Sequence, residues 1–247
     1  MKKRELQIYL TLVCSLAVLA SISVFLPQGD FAASVELPAP RPVLALINAL
    51  ASLIVYGGLG YLGLRLAASV GFATLWDDRV TNRQRFLWPL ILGLLIGSFF
   101  IVVERLLLPF HAVGPLPHPP FPTSLTASAA AAIGEEILFR LFLVSLGVYL
   151  LGKLLTKERY REPVFWTVTA VSGLLFALAH LPSLMLMLEL DDISAIPAAL
   201  LVEMLILNGS LSLVAGYNLK KYGIVAAMGI HFWTDVLWHV LYGAWQI

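Results

Sequence analysis

Seven apolar runs, each of about 20 residues or more, dominate this chain of 247 residues. About 20 helical residues cross the ~30 Å hydrocarbon core of a bilayer. The runs occupy residues 7–26, 43–67, 86–108, 124–152, 164–188, 196–217 and 222–245. With 60% hydrophobic residues and a mean hydropathy of +0.88, the chain is too apolar for a soluble globule. We therefore predict an all-α, polytopic transmembrane helix bundle of seven spans, or eight if one of the longer runs hides a short extra helix.

The first run follows a basic start, MKKRE, as the core of a signal peptide would. It is long enough to span a bilayer and no small-residue cleavage site follows it, so we expect a first transmembrane helix. The single cysteine, Cys14, lies in this run. The sequence therefore predicts neither a disulfide framework nor a cysteine-based metal site.

Basic residues are distributed unevenly among the predicted loops. The segments MKKRE, WDDRVTNRQR, KLLTKERYRE and NLKKY hold twelve of the sixteen Lys and Arg residues, whereas the alternate loops are proline-rich or acidic. Cytoplasmic loops of membrane proteins carry an excess of Lys and Arg. We therefore predict a multi-pass protein of a prokaryotic plasma membrane with a cytoplasmic N-terminus. A net charge of +1 without a basic cluster argues against nucleic acid as a partner.

No repeat of 20 to 50 residues and no soluble domain interrupts this pattern. We divide the chain into residues 1–122, with about three spans, and residues 123–247, where intramembrane polar residues concentrate. Both parts are expected to form one integrated membrane domain. The sequence leaves the oligomeric state open.

Two glutamates and an arginine interrupt the fourth run, in AAAIGEEILFRLFLV. Left unpaired at bilayer depth, Glu135, Glu136 and Arg140 would together cost on the order of 8 to 10 kcal/mol. Residues four apart share a helix face, whereas neighbours point about 100° apart. We expect Glu136 to pair with Arg140, which leaves Glu135 without a local partner. That carboxylate belongs either to a structural ion-pair cluster or to a general acid–base site.

Imidazoles occur in two further runs. His180 lies one turn after Phe176 in SGLLFALAHLPS, and a proline that can kink the helix follows it. His180 is either a packed residue bonded to a neighbouring helix or a functional group. His231 and Asp235, four apart in HFWTD, are expected on one face of the last span. His239 lies nearer the end of that span and is expected to reach the membrane interface.

Lipid offers no hydrogen-bond partner, so polar groups on three spans each need a partner from another helix. We expect Glu135, His180, His231 and Asp235 to converge on one polar cavity. Such a set can deprotonate a water molecule and stabilise the oxyanion that forms on a carbonyl, which is the chemistry of peptide hydrolysis.

Other polar residues of the runs and loops are weaker candidates. Glu104, near the outer end of the third span, is expected at the membrane interface. His111 and His118 lie in a proline-rich loop and are expected to be solvated. Glu203 of the sixth span either joins the polar cluster or pairs with a cation.

Three short segments resemble the motifs of one family. EEILFR, FALAH and HFWTD resemble the EExxxR, FxxxH and HxxxN or HxxxD motifs of the type II CAAX prenyl endopeptidase and bacteriocin-processing family of intramembrane proteases, the CPBP family. Its eukaryotic members include the Ras-converting enzyme. The motifs occur in the family's order on separate runs, and the resemblance covers about residues 125–240.

The resemblance implies that Glu135 and His180 activate the attacking water and that Glu136 and Arg140 shape the site. Phe176 belongs to the second motif and is expected to support it. The last motif implies that His231 and residue 235 stabilise the oxyanion. Position 235 is Asp instead of the more favourable Asn, so we expect Asp235 to orient His231, as a carboxylate orients an imidazole in a catalytic triad.

The family was once considered zinc-dependent. Glu135, His180, His231 and Asp235 would form a chemically acceptable zinc shell. No HExxH segment places two ligands on one helix face, so we favour a glutamate mechanism without a cofactor.

The resemblance thus predicts an intramembrane endopeptidase. Its expected partners are membrane lipid and a membrane-associated peptide or lipidated protein, of CAAX or leader type. One alternative is a catalytically silent membrane scaffold or immunity protein of the same family. Another is a proton-coupled transporter, because intramembrane Glu and His also build proton relays.

Overall fold

The computed structural model describes residues 2–29, 37–157 and 159–246; Glu158 of the basic segment KLLTKERYRE lies outside this part. Seven of the described helices are long and apolar enough to cross a membrane, which confirms the predicted bundle, and the described residues provide no eighth. These helices are α1 Lys3–Ser23, α2 Arg41–Ser69, α3 Arg83–Phe110, α4 Thr123–Leu155, α5 Arg161–Met187, α6 Ala198–Tyr222 and α7 Ile224–Trp245.

A single residue, Gly223, connects α6 to α7. Its φ of +88° lies in a region that side-chain-bearing residues rarely adopt, and a Cβ there would lie 2.6 Å from the carbonyl oxygen of Thr74. Glycine therefore allows the chain to reverse at once. The reversal places the last span, with its histidine and aspartate, directly against α6.

Helix α7 packs in the interior of the bundle against α3, α4 and α6. It lies close to α3, where a Cβ on Gly93 would be 2.7 Å from both the carbonyl oxygen of Ile230 and the Cβ of Trp233. Small residues at helix interfaces allow this approach in membranes. The first part of the chain thus supports the last span directly, although the division at residue 122 remains a prediction.

Apolar side chains from five helices surround the polar part of the interior. This core contains Phe100, Phe139, Phe176, Leu207 and Trp238. The outer faces of the helices expose apolar side chains, as lipid requires. The polar residues described below therefore lie inside the bundle.

Helices α4 and α7 both change from α to π geometry next to a candidate acid. The π segments are Glu136–Val144 in α4 and Val236–Tyr242 in α7. A π turn is wider than an α turn and is frequent at functional sites. Helix α5 is also irregular, with a turn at His180 before its last segment, Leu181–Met187. The three family-like motifs thus all lie where a helix departs from regular geometry.

Candidate active site

The adjacent glutamates of α4 have different surroundings. Glu136 is fully buried, whereas 32% of the Glu135 side chain is exposed, and Glu135 lines a cavity in the bundle. Neighbouring helical residues point about 100° apart, which separates their environments. One carboxylate can therefore meet a molecule in the cavity and the other cannot.

Arg140 lies beside Glu136, as the spacing of four residues predicts. Its Nε is 3.4 Å from Oε1 of Glu136, and its Nη2 donates to the hydroxyl of Ser212 on α6 at 2.9 Å. Both charged side chains are buried. Arg140 thus offsets the charge of Glu136 and joins α4 to α6.

Phe176 of α5 contacts three of the ionisable residues. The guanidinium carbon of Arg140 lies 4.1 Å from the centre of its ring, within range of a cation–π interaction. The imidazoles of His180 and His231 meet the same ring at nearly right angles, with centres 4.8 and 5.9 Å away. The ring of Phe176 therefore packs against all three of these side chains. Its expected supporting role in the site stays a prediction.

His180 lies at the turn in α5 and lines the cavity. Its Nδ1 lies 2.8 Å from the carbonyl oxygen of Phe176. A carbonyl can only accept, so Nδ1 carries the proton in this contact. In the neutral ring, Nε2 then has the lone pair and can accept a proton.

His231 of α7 is surrounded by carboxylates. Its Nδ1 lies 2.9 Å from Oε1 of Glu136. Its Nε2 lies 3.6 Å from Oε2 of Glu135 and 3.5 Å from Oδ2 of Asp235. The ring is buried, so these contacts, rather than bulk water, determine its electrostatic environment.

The carboxylate that contacts Nδ1 of His231 comes from another helix. In a triad, the orienting carboxylate accepts from Nδ1. Glu136 occupies that place here, and Asp235 lies beside Nε2 on the cavity side. Residues four apart on α7 meet as the spacing predicts, whereas the contact to Nδ1 depends on how α4 packs against α7. The orienting role expected for Asp235 stays a prediction.

The cavity has a volume of about 300 Å³. Glu135, His180, His231 and Asp235 all line it, so the structure brings the four predicted residues together. The other walls are mostly apolar, and they include Phe100, Leu184, Met187, Met204, Leu207 and Trp238. A few convergent polar groups in an apolar cavity are typical of a binding or catalytic site.

The proline-rich loop between α3 and α4 forms one wall of the same cavity, through Leu116, Pro117 and Pro119. Glu104 of α3 holds this loop in place. One of its carboxylate oxygens accepts from the backbone N–H of Leu116 at 2.7 Å, and the other accepts from the hydroxyl of Tyr242 at 2.6 Å. Glu104 is buried inside the bundle. Its side chain therefore binds other parts of the protein, and its depth in the membrane stays a prediction.

The loop histidines are also buried, contrary to the expectation of solvation. The His111 side chain is inaccessible, and its Nε2 lies 3.2 Å from Oε2 of Glu203 on α6. Glu203 was expected either to join the polar cluster around Glu135 or to pair with a cation. The structure places it beside His111 instead of in that cluster.

His118 lies with its Nδ1 2.9 Å from Nδ1 of His239 on α7. His239 therefore lines the cavity, and its expected place near the membrane interface stays a prediction. Burial lowers the pKa of His118 to about 4. The loop was misjudged because its prolines and histidines are typical of solvated loops, whereas its partners come from distant helices.

Ser128 and Asn208 also line the cavity, and Ser212 contacts Arg140. Of these three, the sequence marks only Asn208, as a polar residue within the sixth apolar run. Ser128 lies in a run of small residues, and such a run predicts close packing between helices. Serine and asparagine are ordinary residues of membrane helices. Their polarity within apolar runs was the available signal, and it does not identify their partners.

The alternative zinc shell does not fit this arrangement. Within the described residues, no three His, Cys, Asp or Glu side chains are arranged to hold a metal ion. Glu136 engages Nδ1 of His231, while Nε2 faces two carboxylates at 3.5 and 3.6 Å. A mechanism without a metal remains a prediction.

Together, the seven spans and the shared cavity define an integral membrane protein with a carboxylate–imidazole site inside the helix bundle. Residues 117–237 match the family model described as Type II CAAX prenyl endopeptidase Rce1-like. This match identifies residues 117–237 as an Rce1-like domain, and all seven residues of the three motifs lie within it. The comparisons found no matching curated protein and no matching solved structure.

Proposed function

We propose that this protein is an intramembrane endopeptidase in which Glu135 and His180 activate a water molecule. The observation that carries the proposal is the shared cavity, where the partly exposed carboxylate of Glu135 lies 3.6 Å from the imidazole of His231 and His180 lines the same walls. The match of residues 117–237 to a protease family model supports the same reaction class.

The proposed first step is the attack of water on the carbonyl carbon of the scissile peptide bond. Glu135 takes one proton of the water as its oxygen bonds to that carbon, and Nε2 of His180 accepts a hydrogen bond from the other. The carbonyl π electrons move to oxygen and give a tetrahedral oxyanion. Collapse breaks the C–N bond, and the proton held by Glu135 passes to the leaving amine. One water is consumed, and a carboxylic acid, which keeps the second proton of that water, and an amine are formed.

His231 is the proposed oxyanion donor. Glu136 accepts from Nδ1, and in the imidazolium form that we propose for this ring Nε2 also carries a proton, which is directed to the cavity side. Donors fixed in place before the reaction stabilise developing charge strongly in a water-poor site. Asp235, beside the same nitrogen, stabilises a positive charge on the ring by Coulomb attraction. This assigns Asp235 a charge-balancing contribution and Glu136 the orienting one.

The proposed substrate is a membrane-associated peptide, of CAAX or leader type, whose apolar side chains occupy the apolar walls of the cavity. We place the enzyme in a prokaryotic plasma membrane with its N-terminus in the cytoplasm. The basic loops support this orientation. No cofactor enters the proposed mechanism.

The test uses the purified full chain in liposomes with a peptide library in which each sequence is present with and without a prenyl group. Mass spectrometry detects the cleavage products. We expect Glu135→Gln and His180→Ala each to lower the cleavage rate at least about 100-fold, since a positioned acid or base contributes 10²–10⁴-fold. Glu162→Gln, which changes an exposed carboxylate, is the matched control and should retain activity.

Thermal unfolding of each variant separates lost chemistry from lost folding. Retained cleavage in both site variants would refute the proposed mechanism. Absence of cleavage by the wild type, together with flux driven by a pH gradient, would favour the transporter alternative. Absence of both would favour the silent scaffold.

A further inference from the structure

A second concave surface lies on the lipid-facing side of the bundle. We call it the aromatic groove and define it by its walls: Trp88 and Leu92 of α3, Trp166 of α5, and Leu213, Tyr217 and Tyr222 of α6. Its volume is about 560 Å³. The rings of Trp166 and Tyr217 are stacked, with an angle of 8° between them. Trp and Tyr are enriched where a membrane meets water, so the groove has the composition of an interfacial site.

The groove opens at the basic end of the bundle. Tyr222 is the last residue of α6, and the carbonyl of the preceding Lys220 accepts from Ala73 in the loop between α2 and α3. That loop also carries Asp78, which pairs with Lys2 at the start of the chain. The segments rich in Lys and Arg thus gather around this rim.

Lys221 places a cation at the rim. Its ammonium reaches back along α6 and donates to the hydroxyl of Tyr217 at 2.9 Å. Among the described residues, no carboxylate oxygen lies within 4.0 Å of this ammonium, whereas the neighbouring Lys220 is paired with Glu162. The rim therefore offers a positive charge that the protein itself does not neutralise.

Asn218 adds an acceptor to the wall of the groove. It lies one turn before Lys221 on the same face of α6. Its Nδ2 donates to the carbonyl of Val214 at 2.8 Å, so the amide oxygen is the atom that remains. This oxygen is buried and has no hydrogen-bond partner among the described residues. Buried polar atoms are almost always paired, so an unpaired one next to a groove points to an absent partner.

We propose that the aromatic groove binds an anionic phospholipid of the phosphatidylglycerol class. Its acyl chain fills the apolar part beside Leu92 and Leu213, and its phosphate meets Lys221. A headgroup hydroxyl donates to the amide oxygen of Asn218. Basic pockets between membrane helices on the cytoplasmic side bind anionic headgroups in this way. Phosphatidylcholine, which lacks both a net negative charge and a headgroup hydroxyl, should bind more weakly.

The test is native mass spectrometry of the full chain in detergent, titrated with phosphatidylglycerol or phosphatidylcholine of identical acyl chains. We expect a one-to-one complex that favours phosphatidylglycerol at least about fivefold, because one Lys near the surface supplies roughly that factor. Lys221→Gln should weaken phosphatidylglycerol binding by about fivefold. Asn218→Leu should weaken it as well. Lys3→Gln, at an exposed lysine on the same end of the bundle, should leave it unchanged.

A groove-filling variant, Leu213→Trp, should abolish the complex with either lipid while the protein keeps its thermal unfolding temperature. Equal affinity for the two lipids would overturn the proposal, as would equal losses in Lys221→Gln and Lys3→Gln. A lipid complex that persists in a folded Leu213→Trp variant would also overturn it. The readout is mass and requires no peptide cleavage, so its outcome is independent of the proposed peptidase reaction.

Discussion

Replacing Glu136 by glutamine removes a buried charge while it preserves the shape of the side chain. In the structure, one carboxylate oxygen of Glu136 meets Nδ1 of His231 at 2.9 Å and Nε of Arg140 at 3.4 Å. Glu136→Gln therefore leaves Arg140 without its nearest counter-charge in a buried site. Removing one partner of a buried ion pair costs about 3 to 5 kcal/mol. For a chain of this size, that free energy corresponds to a fall of roughly 6 to 20 °C in Tm.

The same change should reduce activity only moderately. The amide oxygen of the glutamine can still accept from Nδ1 of His231, so a neutral hydrogen bond replaces a charge-assisted one. The difference is about 1 to 1.5 kcal/mol, or roughly five- to tenfold in kcat. Glu135→Gln should show the opposite pattern. It removes the proposed base, at a loss of about 10²–10⁴-fold, but leaves stability nearly unchanged because the side chain is partly exposed.

Thermal unfolding and cleavage rates of both variants test this separation. Together with the wild type and Glu136→Gln, the variants Arg140→Gln and Glu136→Gln/Arg140→Gln form a double-mutant cycle. The double variant contains neither charge of this pair, so it leaves no unpaired charge in the interior. Its loss of free energy of unfolding should therefore be smaller than the sum of the losses in the two single variants. Equal losses of stability in Glu135→Gln and Glu136→Gln would refute the reasoning. So would strictly additive losses in the cycle.

Three further outcomes follow from contacts elsewhere in the bundle. Ser212→Ala removes the hydroxyl that accepts from Arg140 and should lower the free energy of unfolding by about 1.5 to 3 kcal/mol, measured by thermal or denaturant unfolding. Gly93→Ala should cost about 1 to 3 kcal/mol in the same assay because its Cβ meets α7 at 2.7 Å, whereas Gly58→Ala, with open space around its Cβ, should cost nothing. Burial lowers the pKa of His118 from 6.5 to about 4, so the open loop binds more protons than the closed loop between these values. The closed loop should therefore lose stability as the pH falls from 6.5 towards 4, and faster hydrogen exchange at residues 111–122 would report this opening.

The seven spans could be predicted because lipid imposes a length and an apolar composition on each crossing segment. Residue spacing likewise predicted the pairs Glu136 with Arg140 and His231 with Asp235, since residues four apart share a helix face. The convergence of three spans followed from the lack of hydrogen-bond partners in lipid. These inferences all depend on local periodicity or on the solvent, and the structure agrees with each of them.

Relations between distant segments could not be predicted in the same way. The choice of Glu136 rather than Asp235 as the partner of Nδ1 depends on the rotation of α4 relative to α7, which periodicity within one helix does not determine. The burial of His111 and His118 depends on partners about 90 and 120 residues away in the chain. The sequence of the proline-rich loop contains no local pattern that predicts these distant partners. Its prolines and histidines therefore indicated solvation, whereas the loop in fact closes one wall of the cavity.

The way in which this bundle compensates its buried charges also explains why Glu135 is our proposed base. Arg140 offsets Glu136, and Glu136 in turn holds His231, so these three groups compensate one another away from water. Glu135 has no such compensation on its own helix, and an isolated carboxylate facing lipid would cost roughly 2.5 to 3.5 kcal/mol. The fold instead turns it into the cavity, where a bound water molecule or substrate can solvate it. The glutamate of α4 that does not pair with Arg140 is thus the one that we propose as the base.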